Sequence, residues 1–243
     1  MKLIVAKNYE EMSKLAAEFM AEEVKKKPEI ILGLATGGTP VGMYKELIRM
    51  CDNKEVDFSK ATTVNLDEYI GLSGEHNQSY RYFMNSNLFN HINIDKAKTF
   101  VPNGQAPDIE AECKSYDARI RELGGIDLQL LGLGSNGHVA FNEPDTFLTV
   151  GSHETKLTQS TIEANARFFD SMDEVPKTAI TMGLGGIMQA KKILVIANGE
   201  GKADVVEKLM NGKITTEVPA SMLQMHRDVT IIVDEAAASK LNK

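Results

Sequence analysis

Short apolar runs rich in β-formers alternate with amphipathic helical stretches along nearly all of this 243-residue chain. That alternation fits one architecture best: a parallel sheet covered by helices on both faces. Strands are expected at 30–34, 62–66, 126–131, 193–197 and 229–233. Between them, Asn8 opens a helix with Glu11 in the capping-box place and a stripe of Met12, Leu15, Ala16, Phe19, Met20 and Val24. Pro40 falls in the first turn of a helix carrying Val41, Tyr44, Leu47 and Ile48. Residues 79–89 read as helical. Asp108 caps a helix with Ile109, Cys113, Tyr116, Ile120 and Leu123 on one face, closed by Gly124 and Gly125. A last helix runs from near Lys202 to Asn211 and Gly212. The expected fold is α/β: a single-domain, doubly wound, mostly parallel, Rossmann-like sheet over residues 1–243.

With 42% hydrophobic residues the chain can bury a sizeable core. The formal net charge of -7 leaves no basic excess to bind nucleic acid or an anionic membrane. Cys51 and Cys113 match no metal or redox spacing, which suits a reducing compartment. The apolar run Leu3 to Ala6 is too short for a secretion signal, so a soluble cytoplasmic protein is expected.

In doubly wound sheets ligands bind beyond the carboxyl ends of the strands. Four such ends carry polar residues. After 30–34 comes Thr36-Gly37-Gly38-Thr39, whose glycines expose backbone N–H groups at a helix start. That describes a phosphate cradle or, equally, a plain turn. After 62–66 comes Asp67, a general base or a turn cap. After 126–131 comes a loop with Asn136, His138 and Glu143, and after 193–197 comes Lys202, an anion partner or a solvated charge. All four ends converge on one edge of the sheet.

The third loop spells G-x-G-x-x-G at 132–137, the dinucleotide fingerprint. A true fingerprint opens a helix and is followed by an acid at the end of the next strand. Here Pro144 interrupts any helix, and Glu163 follows no strand, so the match is accidental. The message is His138, with a carboxylate five positions on, an arrangement that shuttles protons. The other histidines, His76, His91, His153 and His226, show no ligand spacing, so no metal is expected.

LATGGTPVGMY, NLDEYIGL, SNGHVAFNEP, ANARFFD and VPASMLQMH, in this order, resemble the glucosamine-6-phosphate deaminase family over almost the whole chain. The related 6-phosphogluconolactonases share a Gly-His loop but lack the Phe-Asn-Glu-Pro of 141–144. The resemblance implies conversion of glucosamine 6-phosphate and water to fructose 6-phosphate and ammonia without a cofactor. It implies that His138 opens the sugar ring with help from Glu143 and Asn136, and that Asp67 moves a proton from C2 to C1. The phosphate would lie on Thr36, Gly37, Gly38 and Thr39, with Arg167 and Lys202 neutralising it and a mobile lid over about 153–182. Many members carry aspartate where this chain has Asn136, which can orient a ring but cannot offset its charge. Another sugar-phosphate enzyme on this fold, a lactonase or a pentose-phosphate isomerase, and a catalytically silent sugar-phosphate sensor are the alternatives. Hexameric members respond to N-acetylglucosamine 6-phosphate through basic residues after the Asn-Glu-Pro turn and a tail tyrosine. Here His153 and Thr155 hold those positions and the chain stops at Lys243, so the expectation is a monomer or small homo-oligomer without that response.

Overall fold

The computed structural model describes residues 1–166, 169 and 171–241. Ten strands and seven α-helices follow in the order β1 (Lys2–Ala6), α1 (Tyr9–Lys26), β2 (Ile31–Leu34), α2 (Val41–Asp52), β3 (Thr62–Asn65), β4 (Asp67–Tyr69), α3 (Tyr80–Met84), β5 (Thr99–Phe100), α4 (Ile109–Glu122), β6 (Leu128–Leu131), β7 (His153–Lys156), α5 (Gln159–Ala166), β8 (Thr178–Thr181), α6 (Leu184–Met188), β9 (Lys192–Ala197), α7 (Ala203–Met210) and β10 (Val229–Asp234) among the described residues. Seven strands form one sheet in the order β1-β10-β9-β6-β2-β3-β5. Every pairing in it is parallel.

The central strands are buried on both faces, which is why they read as continuous apolar runs. All six residues of β10 and five of six in β9 are buried. Each fully buried Val, Leu or Ile there contributes about 1.5–3 kcal/mol of transfer free energy. Gly33 in β2 is required by its neighbour across the sheet. A Cβ at that position would come 2.1 Å from Gln129 Oε1, whose side chain lies over it.

Capping explains where the helices begin. Asn8 Oδ1 accepts from Glu11 N at 2.9 Å. Glu11 reaches back one residue further than a capping box requires, to Lys7 N at 2.6 Å. Asp108 caps α4, and Gly124 and Gly125, at φ +92° and +83°, end it in the left-handed region. The helical stretch expected at 79–89 is α3 running straight into a π-helical turn at Asn85–Phe89.

A second, three-stranded antiparallel sheet, β4-β8-β7, was not anticipated from periodicity. It carries its own small apolar cluster of Tyr69, Phe141, Leu157 and Ala179. One residue, Leu66, separates β3 from β4, so the chain passes directly from the large sheet to the small one. No helix among the described residues is long and apolar enough to cross a membrane.

Candidate active site

The strand order reverses between β2 and β6. From β2 the chain winds outward through β3 to β5, and from β6 it winds the other way through β9 to β10. The loops leaving these two neighbours therefore diverge and open a cleft above the sheet. The pocket there is lined by 35–40, Asp67, 132–136, His138, Thr161 and Lys202. The residues expected at four separate strand ends are thus brought to one cavity, with Glu143 behind His138.

One wall of the cleft is the turn after β2. Gly37 takes φ +97°, a conformation glycine adopts without strain. None of the amides of Thr36, Gly37, Gly38 and Thr39 donates to an acceptor among the described residues. Unspent donors beside the positive end of α2 suit an anion. Thr39 Oγ1 donates to Asn198 Oδ1 at 2.8 Å, tying this turn to the loop after β9. That loop delivers Lys202 to the same pocket through a short 3-10 turn.

Asp67 stands at the first position of β4, opposite Thr181. It is 6% exposed, and no described residue donates a hydrogen bond to its carboxylate. Burial, helped by the adjacent Glu68, pushes its pKa up to about 8. Glu68 has a different task. Its carboxylate accepts from Tyr69 N, Tyr80 N and Arg81 N at 2.8–2.9 Å and so caps α3. Of the two neighbouring acids, only Asp67 faces the pocket.

The opposite wall is the loop after β6. Gly137, at φ +93°, turns the chain, and no helix follows it, which disposes of the dinucleotide reading. The imidazole of His138 lies against Gly134, where a Cβ would come 2.4 Å from the ring. Its Nδ1 is 3.2 Å from Glu143 Oε2. Among the described residues Asn136 makes no hydrogen bond with the ring. Its Nδ2 donates to Glu143 Oε2 at 2.7 Å, and its Oδ1 accepts from the His138 backbone N–H at 3.1 Å. Asparagine here holds both the carboxylate and the histidine's backbone, and bears on the ring through Glu143.

Two residues that sequence reasoning passed over complete the group. Thr158 and Thr161 donate to Glu143 Oε1, and Thr158 Oγ1 also accepts from the Thr161 amide at 3.3 Å. A threonine just before a helical run was the available signal. Burial alone would raise the Glu143 pKa. The bonds and charge from His138, with the donors Thr161 and Asn136, overcome this and bring it down to about 2. Tyr69, Tyr80, Phe141 and Phe169 pack ring against ring beside the cleft, with neighbouring centroids 4.7–6.0 Å apart. Arg167 lies outside the described residues. Among the described residues no cluster of His, Cys, Asp and Glu has the makings of a metal site.

This arrangement pairs an anion cradle with a buried base and a carboxylate-held histidine. A sequence profile described as glucosamine-6-phosphate isomerases/6-phosphogluconolactonase matches residues 6–232. The chain is 73% identical over 241 residues, 99% of its length and all of the relative's, to a glucosamine-6-phosphate deaminase of Clostridium perfringens. The chain belongs to the glucosamine-6-phosphate deaminase family. A deaminase of this family from Clostridium beijerinckii is 58% identical over 241 residues, covering 99% of this chain and 100% of that one. A solved structure of a monomeric glucosamine-6-phosphate deaminase, 47% identical, superposes with a TM-score of 0.96 over 98% of this chain and 99% of that one. A 6-phosphogluconolactonase from Trypanosoma brucei, at 19% identity and a TM-score of 0.77 over 99% of this chain and 98% of that one, shares the fold.

Proposed function

We propose that this chain converts glucosamine 6-phosphate and water to fructose 6-phosphate and ammonia, with its chemistry divided between the two walls of the cleft. The observation that carries the division is the contrast between Asp67, buried without a donor among the described residues, and the His138–Glu143 pair, held by several. The phosphate lies on Thr36, Gly37, Gly38 and Thr39, with Lys202 and Arg167 supplying positive charge. His138, aimed by Glu143 and Asn136, carries the proton from the C1 hydroxyl to the ring oxygen and opens the pyranose. Asp67 then takes the proton from C2 and returns it to C1 by way of an enolamine. The C2 imine that results is hydrolysed by water, releasing ammonia and the ketose. A base with a pKa near 8 suits abstraction of a carbon-bound proton better than an ordinary carboxylate does.

The segment of about 153–182 supplies a lid that closes over bound substrate, anchored at its two ends by β7 and β8 in the small sheet, with Thr158 and Thr161 fastening it to Glu143. The protein works in the cytoplasm as a monomer or small oligomer. It gives hyperbolic kinetics and no response to N-acetylglucosamine 6-phosphate, since His153 and Thr155 make a poor seat for a phosphate dianion. The monomeric relative at 47% identity supports that reading. Incubation with glucosamine 6-phosphate, assaying ammonia and fructose 6-phosphate together, tests the reaction. Ammonia without the ketose, or neither product, would overturn it, and a stable hexamer by light scattering would overturn the assembly.

A further inference from the structure

The phosphate cradle is braced from outside the pocket by the first residue of α1. Tyr9 is half-buried and does not line the cavity. Its hydroxyl accepts from Gly42 N at 2.8 Å and shares its own proton between Gly38 O at 3.2 Å and Thr39 O at 3.1 Å. In a planar trans peptide the C=O and the following N–H point in opposite directions. Holding the Gly38 carbonyl toward Tyr9 therefore turns the Thr39 N–H toward the pocket that Thr39 lines. Thr39 O is likewise kept from facing an anion, and Pro40 has no N–H to lose. The contact is tight, since a Cβ at Gly42 would come 2.9 Å from the Tyr9 hydroxyl and 2.4 Å from Ser13 Oγ.

We propose that Tyr9 is a positioning residue for substrate phosphate, setting the direction of the cradle's peptide groups without touching the ligand. The inference rests on reading 36–39 as the phosphate cradle. Because the phosphate does not react, loss of the brace weakens binding of ground state and transition state alike.

The test is Tyr9→Phe, which keeps the ring and deletes only the hydroxyl. KM for glucosamine 6-phosphate and the inhibition constant of inorganic phosphate are expected to rise together by about three- to ten-fold, the worth of a modest hydrogen bond, with kcat nearly unchanged. Ser13→Ala, at the same α1–α2 contact but away from the cradle, serves as the structural control and leaves both constants as they are. A Tyr9→Phe enzyme with unchanged KM and phosphate inhibition overturns the brace. So does an equal rise in Ser13→Ala, which would trace the effect to loosened helix packing. Wild-type enzyme indifferent to inorganic phosphate overturns the cradle itself, a failure distinct from that of Tyr9.

Discussion

Two carboxylates serve this cleft, Asp67 on its lining and Glu143 behind His138, both nearly buried, and their proton affinities lie at opposite extremes. Asp67, on β4, has no donor among the described residues and is pushed up to about 8. Glu143, on the loop wall, is bonded to His138, Asn136, Thr158 and Thr161 and falls to about 2. Burial is common to both, so burial cannot explain the difference. What separates them is the supply of hydrogen bonds to the charged form and the sign of the neighbouring charge, His138 beside Glu143 and Glu68 beside Asp67. An acid stripped of donors becomes a base for carbon acids, and an acid surrounded by donors becomes a permanent anion that orients a histidine.

Removing the basic end of this contrast should have the largest effect. Asp67→Asn is expected to lower kcat by at least about 10³-fold while leaving phosphate inhibition intact. Exchange of the C2 hydrogen with deuterated water reports the step directly, and near-normal exchange in the variant would refute Asp67 as the base. His138→Gln should cost less, about 10²-fold, because it impairs ring opening and spares proton transfer at C2. Turnover equal to wild type in that variant would remove the loop wall from the chemistry.

Stability should respond to pH in opposite senses at the two acids. The folded pKa of Asp67 lies above its ordinary 3.8, so its contribution is fully present below about pH 4 and is lost as pH rises through about 8. Asp67→Asn should therefore be more stable than wild type at pH 8, by roughly 1–3 kcal/mol, with the gap closing toward pH 4. Glu143 lies below its ordinary 4.5, so its contribution is present above that pH and is lost as pH falls toward about 2. The deficit of Glu143→Gln at neutral pH should vanish over that acid range. Thermal melts of both variants across pH check the pair, and parallel trends would break the comparison. The mildest change, Thr161→Val, removes one donor from Glu143 and should lower kcat/KM by about five-fold. An unchanged value would mean the lid contact does not tune the carboxylate.

Apolar periodicity revealed the strands buried on both faces, because β2, β3, β6, β9 and β10 have no solvent side to interrupt it. It failed for β1, an edge strand half open to water, and for β5, two residues long. The small sheet was also missed. His153–Lys156 alternates half-buried and exposed residues, and its partners are fixed by contacts remote in sequence. The site was legible as residue types at strand ends, since topology alone gathers those ends together. Who holds whom was not: Asn136 reaching Glu143 instead of the ring, Glu68 capping a helix, and Tyr9 bracing the cradle are matters of side-chain direction.

The position of β10 also sets the order in which this sheet can be completed. Residues 229–234 insert between β1 and β9, and β10 is the one strand that β1 pairs with among the described residues. Lys2 to Ala6 therefore find their ladder partner only once residues 229–234 have been synthesised. The helix that carries Tyr9 follows β1 directly, so the brace on the phosphate cradle is joined through one short turn to a pairing between strands remote in sequence.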